Sequence, residues 1–195
     1  MLASPIFSLS TLRGCRLLYM VLTSFLCLVI YHNSLAASKE QAKEHQVKAV
    51  YLYNFSHFIH WPHNLLKSKQ AFHICVLGKN SFNNALDYVV NKEKFDGKPI
   101  KLEYLQRVED TSNCQILFIS QSEQSKLRAV FDFLKNKPIL TVSDIPRFIE
   151  LGGMIKFYLN RKRQVRLAIE PETLREATLQ ADANLLRISQ TMSKN

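Results

Sequence analysis

The chain has 195 residues, 47% of them hydrophobic, and its 26 Lys and Arg against 16 Asp and Glu give a formal net charge of +10. This length predicts one domain, and the ordinary apolar fraction excludes a disordered chain. Five Gly and six Pro are too few for a fibrous or low-complexity protein. The basic excess leaves two classes open at this point: a nucleic-acid-binding protein, and a protein that works beside an anionic surface.

The first 36 residues have the order of a secretory signal peptide. Arg13 and Arg16 precede an apolar run at Leu17–Ile30, and the small residues Ser34 and Ala36 follow at the minus-three and minus-one positions of a cleavage site. The alternative is an uncleaved membrane anchor, but the run of 14 residues is shorter than the roughly 20 that span a bilayer. We therefore expect cleavage after Ala36 and an exported protein.

Export changes both the charge and the cysteine count. Removing residues 1–36 takes away two Arg and no acidic residue, which leaves +8 on residues 37–195, expected to form a single domain. Nucleic acid is not an expected partner, because an exported protein does not meet cytoplasmic DNA or RNA. Cys75 and Cys114 remain, and an oxidising compartment favours one disulfide between them. Two buried free thiols are the alternative, and zinc is disfavoured because matching His spacing is missing.

The exported part alternates helical and strand patterns. Apolar residues recur every three or four positions in the predicted helices, whereas continuous apolar runs mark the buried strands. In chain order we predict a helix at 38–61, a strand at 72–78, a helix at 80–90, strands at 100–104 and 114–120, a helix at 123–134, a strand at 138–142 and a short helix at 145–150.

The C-terminal part has a different pattern. Met154–Leu159 and Val165–Ile169 flank the polar segment Asn160–Gln164, which predicts a β-hairpin. Pro171 stands where a first helical turn begins, and one or two closing helices follow. The predicted fold is α/β, a mostly parallel sheet with helices on both faces and a C-terminal antiparallel hairpin.

Two sets of residues are candidates for binding. Arg161, Lys162 and Arg163 lie at the tip of the predicted hairpin, and Arg166 lies just inside its second strand. They form either a solvated turn or a docking surface for an acidic partner or anionic headgroups. Trp61, the only tryptophan, closes the first predicted helix, where it serves in packing or in an interface or ligand cleft.

Sequence motifs of catalysis are missing. The chain has no G-x-S-x-G, H-E-x-x-H, P-loop or G-x-G-x-x-G motif, so we predict no catalytic residues and no enzyme activity. His57, His60 and His63 are spaced by three, but Pro62 interrupts the helix and no acidic or Cys ligand completes a metal site. We predict neither a metal nor a cofactor.

Several segments occur in an order that is similar to a known family. They are Lys48–Phe55 with Phe58 and Trp61-Pro62, Ile74–Gly78, Cys114–Ser120, Leu140–Asp144, Phe148, Gly152–Ile155 and Leu185–Arg187. Together they resemble the YfiR family of exported proteins over roughly residues 45–190. The Cys75–Cys114 pair falls where that family has its disulfide. The chain departs from the family in lacking a second cysteine pair at 143–153 and in having Glu170-Pro171 where Ile-Asn is commoner.

The resemblance implies a function and partners. YfiR-like proteins are periplasmic, tend to form homodimers, and bind the periplasmic sensor region of an inner-membrane diguanylate cyclase. They repress that cyclase, which lowers cyclic-di-GMP and biofilm formation, and an OmpA-like outer-membrane lipoprotein sequesters them. A function of another class stays open: a periplasmic small-molecule-binding sensor module that uses the crevice at the carboxyl ends of the strands.

Overall fold

The computed structural model describes residues 39–192, so the predicted signal peptide and its cleavage site lie outside the described residues. The chain divides into two units, Met1–Lys43 and Glu44–Asn195. Residues 39–43 are the described part of the first unit, and they are helical. The second unit contains the elements described below. That residues 37–195 form one domain stays a prediction.

The described chain alternates short helices and strands. In the second unit, helix α1 covers residues 44–58. In chain order there follow β1 (Ile59–His60), α2 (His63–Lys67), β2 (Phe72–Leu77), α3 (Ala85–Val90), β3 (Lys94–Phe95), β4 (Lys98–Leu105), a 3-10 helix (Val108–Asn113), β5 (Ile116–Ile119), a second 3-10 helix (Gln121–Lys126), α4 (Leu127–Leu134), β6 (Leu140–Ser143), β7 (Ile155–Leu159), β8 (Val165–Ile169), α5 (Pro171–Glu176), β9 (Gln180–Ala181), α6 (Ala183–Ile188) and β10 (Gln190–Thr191).

Within residues 39–192, eight strands form one mixed sheet in the order β10-β8-β7-β6-β5-β2-β4-β3. Five of its neighbouring pairs are parallel: β8 with β10, β7 with β6, β6 with β5, β5 with β2, and β2 with β4. The β7–β8 hairpin and the β3–β4 pair are antiparallel. The predicted α/β class, its mostly parallel sheet and its C-terminal antiparallel hairpin are confirmed. β1 and β9 form a separate two-stranded antiparallel sheet.

Both faces of the central strands are buried. Alternate residues of β2 point to opposite faces, so Ile74 joins a core with α1 and α3, whereas Leu77 joins a second core with α4. In β5 the same alternation places Phe118 in the first core and Leu117 in the second. Burying one such large apolar side chain contributes about 1.5–3 kcal/mol. Coverage on both faces is why these strands are almost entirely apolar.

The disulfide joins β2 to the residues that lead into β5, near the middle of the sheet. Cys75 lies in β2, Cys114 lies just before β5, and their Cα atoms are 5.9 Å apart in a bonded pair that is 39 residues apart in sequence. The predicted pairing of Cys75 with Cys114 is therefore present. Both residues are buried in the core on the α4 face.

The short helix predicted at Ile145–Glu150 is wrong, because this segment is a series of turns. Arg147 has a φ of +59°, a left-handed conformation that an α-helix cannot contain. Ser143 does not cap a helix: its hydroxyl donates to Ile119 O at 2.6 Å and accepts from Ile145 N at 3.1 Å. The turn places Ile145 and Phe148 in the core beneath α4.

Three other helices differ from the prediction at their ends. The first ends at residue 58, because Ile59 and His60 pair with Ala181 and Gln180. The second begins at Ala85 rather than Asn80, since Asn83 has a φ of +51° and Asn80 Oδ1 accepts from Phe82 N. The region predicted as helix from Glu123 is 3-10 up to Lys126.

Candidate functional site

The basic tip, defined here as Arg161, Lys162, Arg163 and Arg166, projects from the β7–β8 hairpin. All four side chains are exposed. The antiparallel register pairs Leu159 with Val165 and Tyr158 with Arg166, so the first three lie in the turn itself and Arg166 lies on the outer side of the second strand. The structure thus brings together the four basic residues that the sequence predicted as a group.

Asn160 organises the backbone of this turn. Its Oδ1 accepts hydrogen bonds from Lys162 N and Gln164 N, both at 3.0 Å, and its Nδ2 donates to Gln164 Oε1 at 3.0 Å. Arg166 Nη2 donates to the same Gln164 oxygen at 2.7 Å, and Arg163 has a φ of +55°. Because the polar residues bond one another, the turn is held in one shape while its basic groups face outward.

Trp61 lies at the other candidate position, between β1 and α2. It is only 8% exposed and packs edge-on against Phe72, with 5.2 Å between the ring centroids and an interplanar angle of 85°. Its Nε1 is buried and has no hydrogen-bond partner. Tryptophan N–H groups normally find an acceptor when buried, so this unpaired donor is unusual.

The indole of Trp61 also lines an open pocket of about 370 Å³, here called the Trp61 pocket. Its wall is mostly basic and apolar, with His60, His63, Lys67 and Lys98 beside Ile59, Leu66 and Phe95, and with Asp96 as its one carboxylate. Lys98 Nζ donates to Leu66 O across this wall. The tip residues do not line this pocket, so the two predicted binding sets are separate.

Side chains of the chain itself lie in the crevice at the carboxyl ends of the central strands. The chain passes from β4 to β5 across β2, which makes the ends of β2 and β5 the position where ligands bind in open α/β sheets. There Gly78 has a φ of +90°, and a Cβ on it would lie 2.4 Å from Ser122 Oγ. Ser122 Oγ also accepts from Lys79 N at 3.0 Å, and the buried Glu123 pairs with Lys126. The chain's own side chains therefore fill this position.

A buried polar cluster at the same edge of the sheet was missed by the sequence analysis. Lys48 is 5% exposed, and its Nζ lies 2.5 Å from Glu44 Oε1 and 2.6 Å from Asp144 Oδ2. His45 Nδ1 is buried without a partner, and burial together with the charge of Lys48 lowers the pKa of His45. The spacing of Glu44 and Lys48 suggests a pair on one helix face, but nothing local indicates Asp144.

Helix α1 carries an apolar strip that faces outward. Val50 is 44% exposed, and it lines a shallow surface pocket of about 410 Å³ together with Val47, Tyr51, Gln46 and Asn54. The ring of Tyr51 is in turn stacked on Phe55 and tilted against Phe157 of the core. An apolar side chain this exposed, next to Val47 and Tyr51, marks a candidate contact surface.

The three histidines do not converge. His57 contacts the rings of Tyr53 and Phe95, at centroid distances of 5.3 Å and 5.8 Å, whereas His60 and His63 line the Trp61 pocket. Among residues 39–192, no three His, Cys, Asp or Glu side chains are grouped so that they could hold a metal ion. In the same part of the chain, no helix has the length and apolar character that crossing a bilayer requires.

Comparison with known proteins gives one family. A family model described as YfiR/HmsC-like matches residues 45–190, which include β1 to β10 up to Gln190. Among solved structures, a conserved domain protein from Vibrio cholerae O1 biovar El Tor str. N16961 is similar at 8% identity and a TM-score of 0.44. That likeness covers 67% of this chain and 56% of the other, and it carries no argument about function. No curated protein matches the chain.

Proposed function

The chain belongs to the YfiR/HmsC-like family, and we propose that it is a periplasmic regulator that binds the periplasmic sensor region of an inner-membrane diguanylate cyclase and represses it. The family match over residues 45–190 is the observation that carries this proposal. The family is regulatory rather than catalytic, so no enzyme activity is assigned to the chain. Repression lowers cyclic-di-GMP and therefore biofilm formation.

Repression of this kind needs only a difference in affinity. A protein that binds the inactive conformation of the cyclase more tightly than the active one shifts the population toward the inactive state. A shift from mostly active to mostly inactive requires a preference of roughly 10⁴-fold. We propose that the regulator itself binds as a rigid body. Both faces of its sheet are packed, and the Cys75–Cys114 disulfide links β2 to the residues before β5.

Release of the cyclase is proposed to follow from competition. An OmpA-like outer-membrane lipoprotein that binds the same regulator lowers the concentration that is free to bind the cyclase, and mass action then restores cyclase activity. A homodimer is proposed as the working form, with the outward apolar strip of α1 around Val50 as the contact between the two copies.

The proposal is tested by deleting the gene in a strain that has the cognate cyclase. Cyclic-di-GMP and biofilm are expected to rise, and the chain supplied in trans is expected to return both to their starting levels. A strain that lacks both the regulator and the cyclase is the control, because the increase must disappear there. Unchanged cyclic-di-GMP in the single deletion strain would count decisively against repression.

A second function, ligand sensing, is favoured by one observation at the Trp61 pocket. The indole of Trp61 lines this pocket, which carries more basic than acidic side chains. A small molecule with an apolar part against the indole and a negative charge toward Lys67 and Lys98 fits this arrangement. Such a ligand would bind away from the strand-end crevice that Ser122 fills.

Fluorescence separates this second function from the first, because Trp61 is the only tryptophan and reports on its own pocket. A screen of periplasmic metabolites by fluorescence and thermal shift is expected to give a ligand whose thermal shift is lost in Trp61→Phe. One strong hit, with no cyclase recovered in a pull-down, would favour sensing over repression. A hit that keeps its full thermal shift in Trp61→Phe would place the ligand elsewhere.

A further inference from the structure

We propose that the basic tip docks the protein on a membrane surface that carries anionic lipid headgroups. This goes beyond the proposed repression of a cyclase and does not depend on it. The footprint consists of Arg161, Lys162, Arg163 and Arg166, with Leu159 and Tyr158 of β7 beside them.

The first argument is the charge of the hairpin. Between Met154 and Ile169 there are five basic residues, which are the four of the basic tip and Lys156, and there is no Asp or Glu. No ion pair with a described carboxylate holds Arg161, Lys162 or Arg166. A concentrated positive charge of this kind attracts an anionic lipid surface over about a Debye length, roughly 8–10 Å at physiological salt.

The second argument is that the charges are held in place before binding. Asn160 Oδ1 accepts from two backbone N–H groups of the turn, and Gln164 Oε1 accepts from both Asn160 and Arg166. The backbone of the turn therefore does not need to order itself when it meets a surface. Ordering costs reduce affinity, so a preformed turn binds more tightly than a flexible one with the same charges.

The third argument concerns the neutral residues beside the charges. Leu159 is 37% exposed at the end of β7, directly before the turn. Tyr158 lies opposite Arg166 on the outer side of the sheet and donates a hydrogen bond to Gln190 Oε1 at 3.1 Å. Basic residues next to an exposed Leu and a half-exposed Tyr make the composition of an interfacial membrane contact, since tyrosine favours the headgroup level.

The shape of the tip favours a lipid surface over an acidic protein. A stable protein interface buries about 800 Å² on each partner and centres on aromatic or Arg anchors in pockets. The turn Asn160–Gln164 is a convex projection of five residues without an aromatic side chain, and the pockets at Trp61 and on α1 lie elsewhere. A bilayer, in contrast, presents headgroups to any convex basic tip that reaches it.

The experiment is a vesicle flotation assay with the exported protein purified from the periplasm. Vesicles that contain phosphatidylglycerol are expected to bind it, vesicles of phosphatidylcholine alone are not, and added salt is expected to weaken binding. The triple variant R161Q/K162Q/R163Q should bind phosphatidylglycerol vesicles about a hundredfold less tightly, because each basic residue near an anionic surface contributes several-fold. In the wild-type background, Leu159→Ser should also weaken binding to phosphatidylglycerol vesicles, but it should leave the salt dependence of that binding unchanged.

A matched control removes an equal number of positive charges, three, at the opposite edge of the sheet. The variant K92Q/K94Q/K101Q changes three exposed lysines at and near β3 and β4, and it is expected to keep vesicle binding. Circular dichroism melting checks that both variants fold. Equal losses in both variants, or no binding of the wild type, would overturn the proposal. So would a tip variant that binds vesicles normally but loses an acidic protein partner.

Discussion

Lys48 of helix α1 and Asp144, which directly follows β6, form an ion pair across 96 residues of sequence, with 2.6 Å between Lys48 Nζ and Asp144 Oδ2. Lys48 is buried and also contacts Glu44, so one ammonium group is shared by two partly exposed carboxylates. The pair fixes α1 to the carboxyl edge of the sheet, next to the turns that lead to β7.

We expect removal of this ammonium to be costly. Lys48→Met leaves two carboxylates close together without a counter-charge, and breaking a buried pair in this way costs about 3–5 kcal/mol. Because Glu44 and Asp144 are partly exposed, we expect the lower end of that range. The measurement is the free energy of unfolding in urea. The control is Arg175→Met, which removes an exposed pair with Glu172 and should change little. Equal effects of the two changes would contradict a structural role of Lys48.

The stability of the protein should fall on mild acidification because of His45. Burial first, and the charge of Lys48 second, lower the pKa of His45 below its ordinary value of 6.5, whereas Glu44 and Asp144 oppose this. The unfolded chain therefore binds a proton at His45 more readily than the folded chain. This contribution to stability is complete above pH 6.5 and is lost as the pH falls from 6.5 through the lower folded pKa.

Urea unfolding between pH 7.5 and 5.5 measures this dependence. In His45→Gln the decline over this range should become shallower, because the group that titrates is gone. His63→Gln, at an exposed position of α2, should keep the decline of the wild type. Identical slopes for the wild type and His45→Gln would show that another group controls the acid sensitivity.

The disulfide should contribute strongly to stability. Cys75 and Cys114 are separated by 39 residues, and closing a loop of this size in the unfolded chain corresponds to about 4 kcal/mol in the chain-entropy treatment. C75A/C114A should therefore melt at a lower temperature than the oxidised wild type and should match the reduced wild type. If oxidised and reduced wild type melt together, the bond has no stabilising role.

The outward apolar strip of α1 should decide the oligomeric state. Val50→Glu places a charge in the centre of the strip, and we expect it to convert a homodimer into a monomer, as measured by light scattering after gel filtration. Tyr88→Glu is the matched control, since Tyr88 is 84% exposed on α3 and lies outside this strip. A monomeric wild type, or a dimer that survives Val50→Glu, would remove this surface as the contact.

Much of the fold was predictable because it depends on near neighbours. Apolar runs indicated β2, β5 and β6, and Pro171 indicated the start of α5, where the Glu170 carboxylate accepts from Glu172 N. The turn Ile145–Glu150 was wrongly predicted because its apolar residues have helical spacing. Their burial beneath α4 requires a left-handed Arg147, and that requirement comes from packing rather than from local preference.

The candidate sites divide in the same way. The basic tip could be located from sequence, since its charges and the Asn160–Gln164 turn are contiguous. The pocket around Trp61 could not, because Phe95 and Lys98 reach it from another part of the chain. The packing of the crevice at Gly78 depends likewise on Ser122, which only the adjacency of β2 and β5 brings within reach.

The sequence by itself therefore determined the α/β class, the hairpin with its basic tip, the cysteine pair and the family. These follow from periodicity, turn chemistry and an ordered set of motifs, all of which are properties of neighbouring residues. The tertiary structure alone decided that Lys48 meets Asp144, that Trp61 keeps an unpaired N–H beside a pocket, and that Val50 faces outward. Those outcomes depend on strand order and on which helix face meets the sheet, and both are set by the packing of segments that lie far apart in the chain.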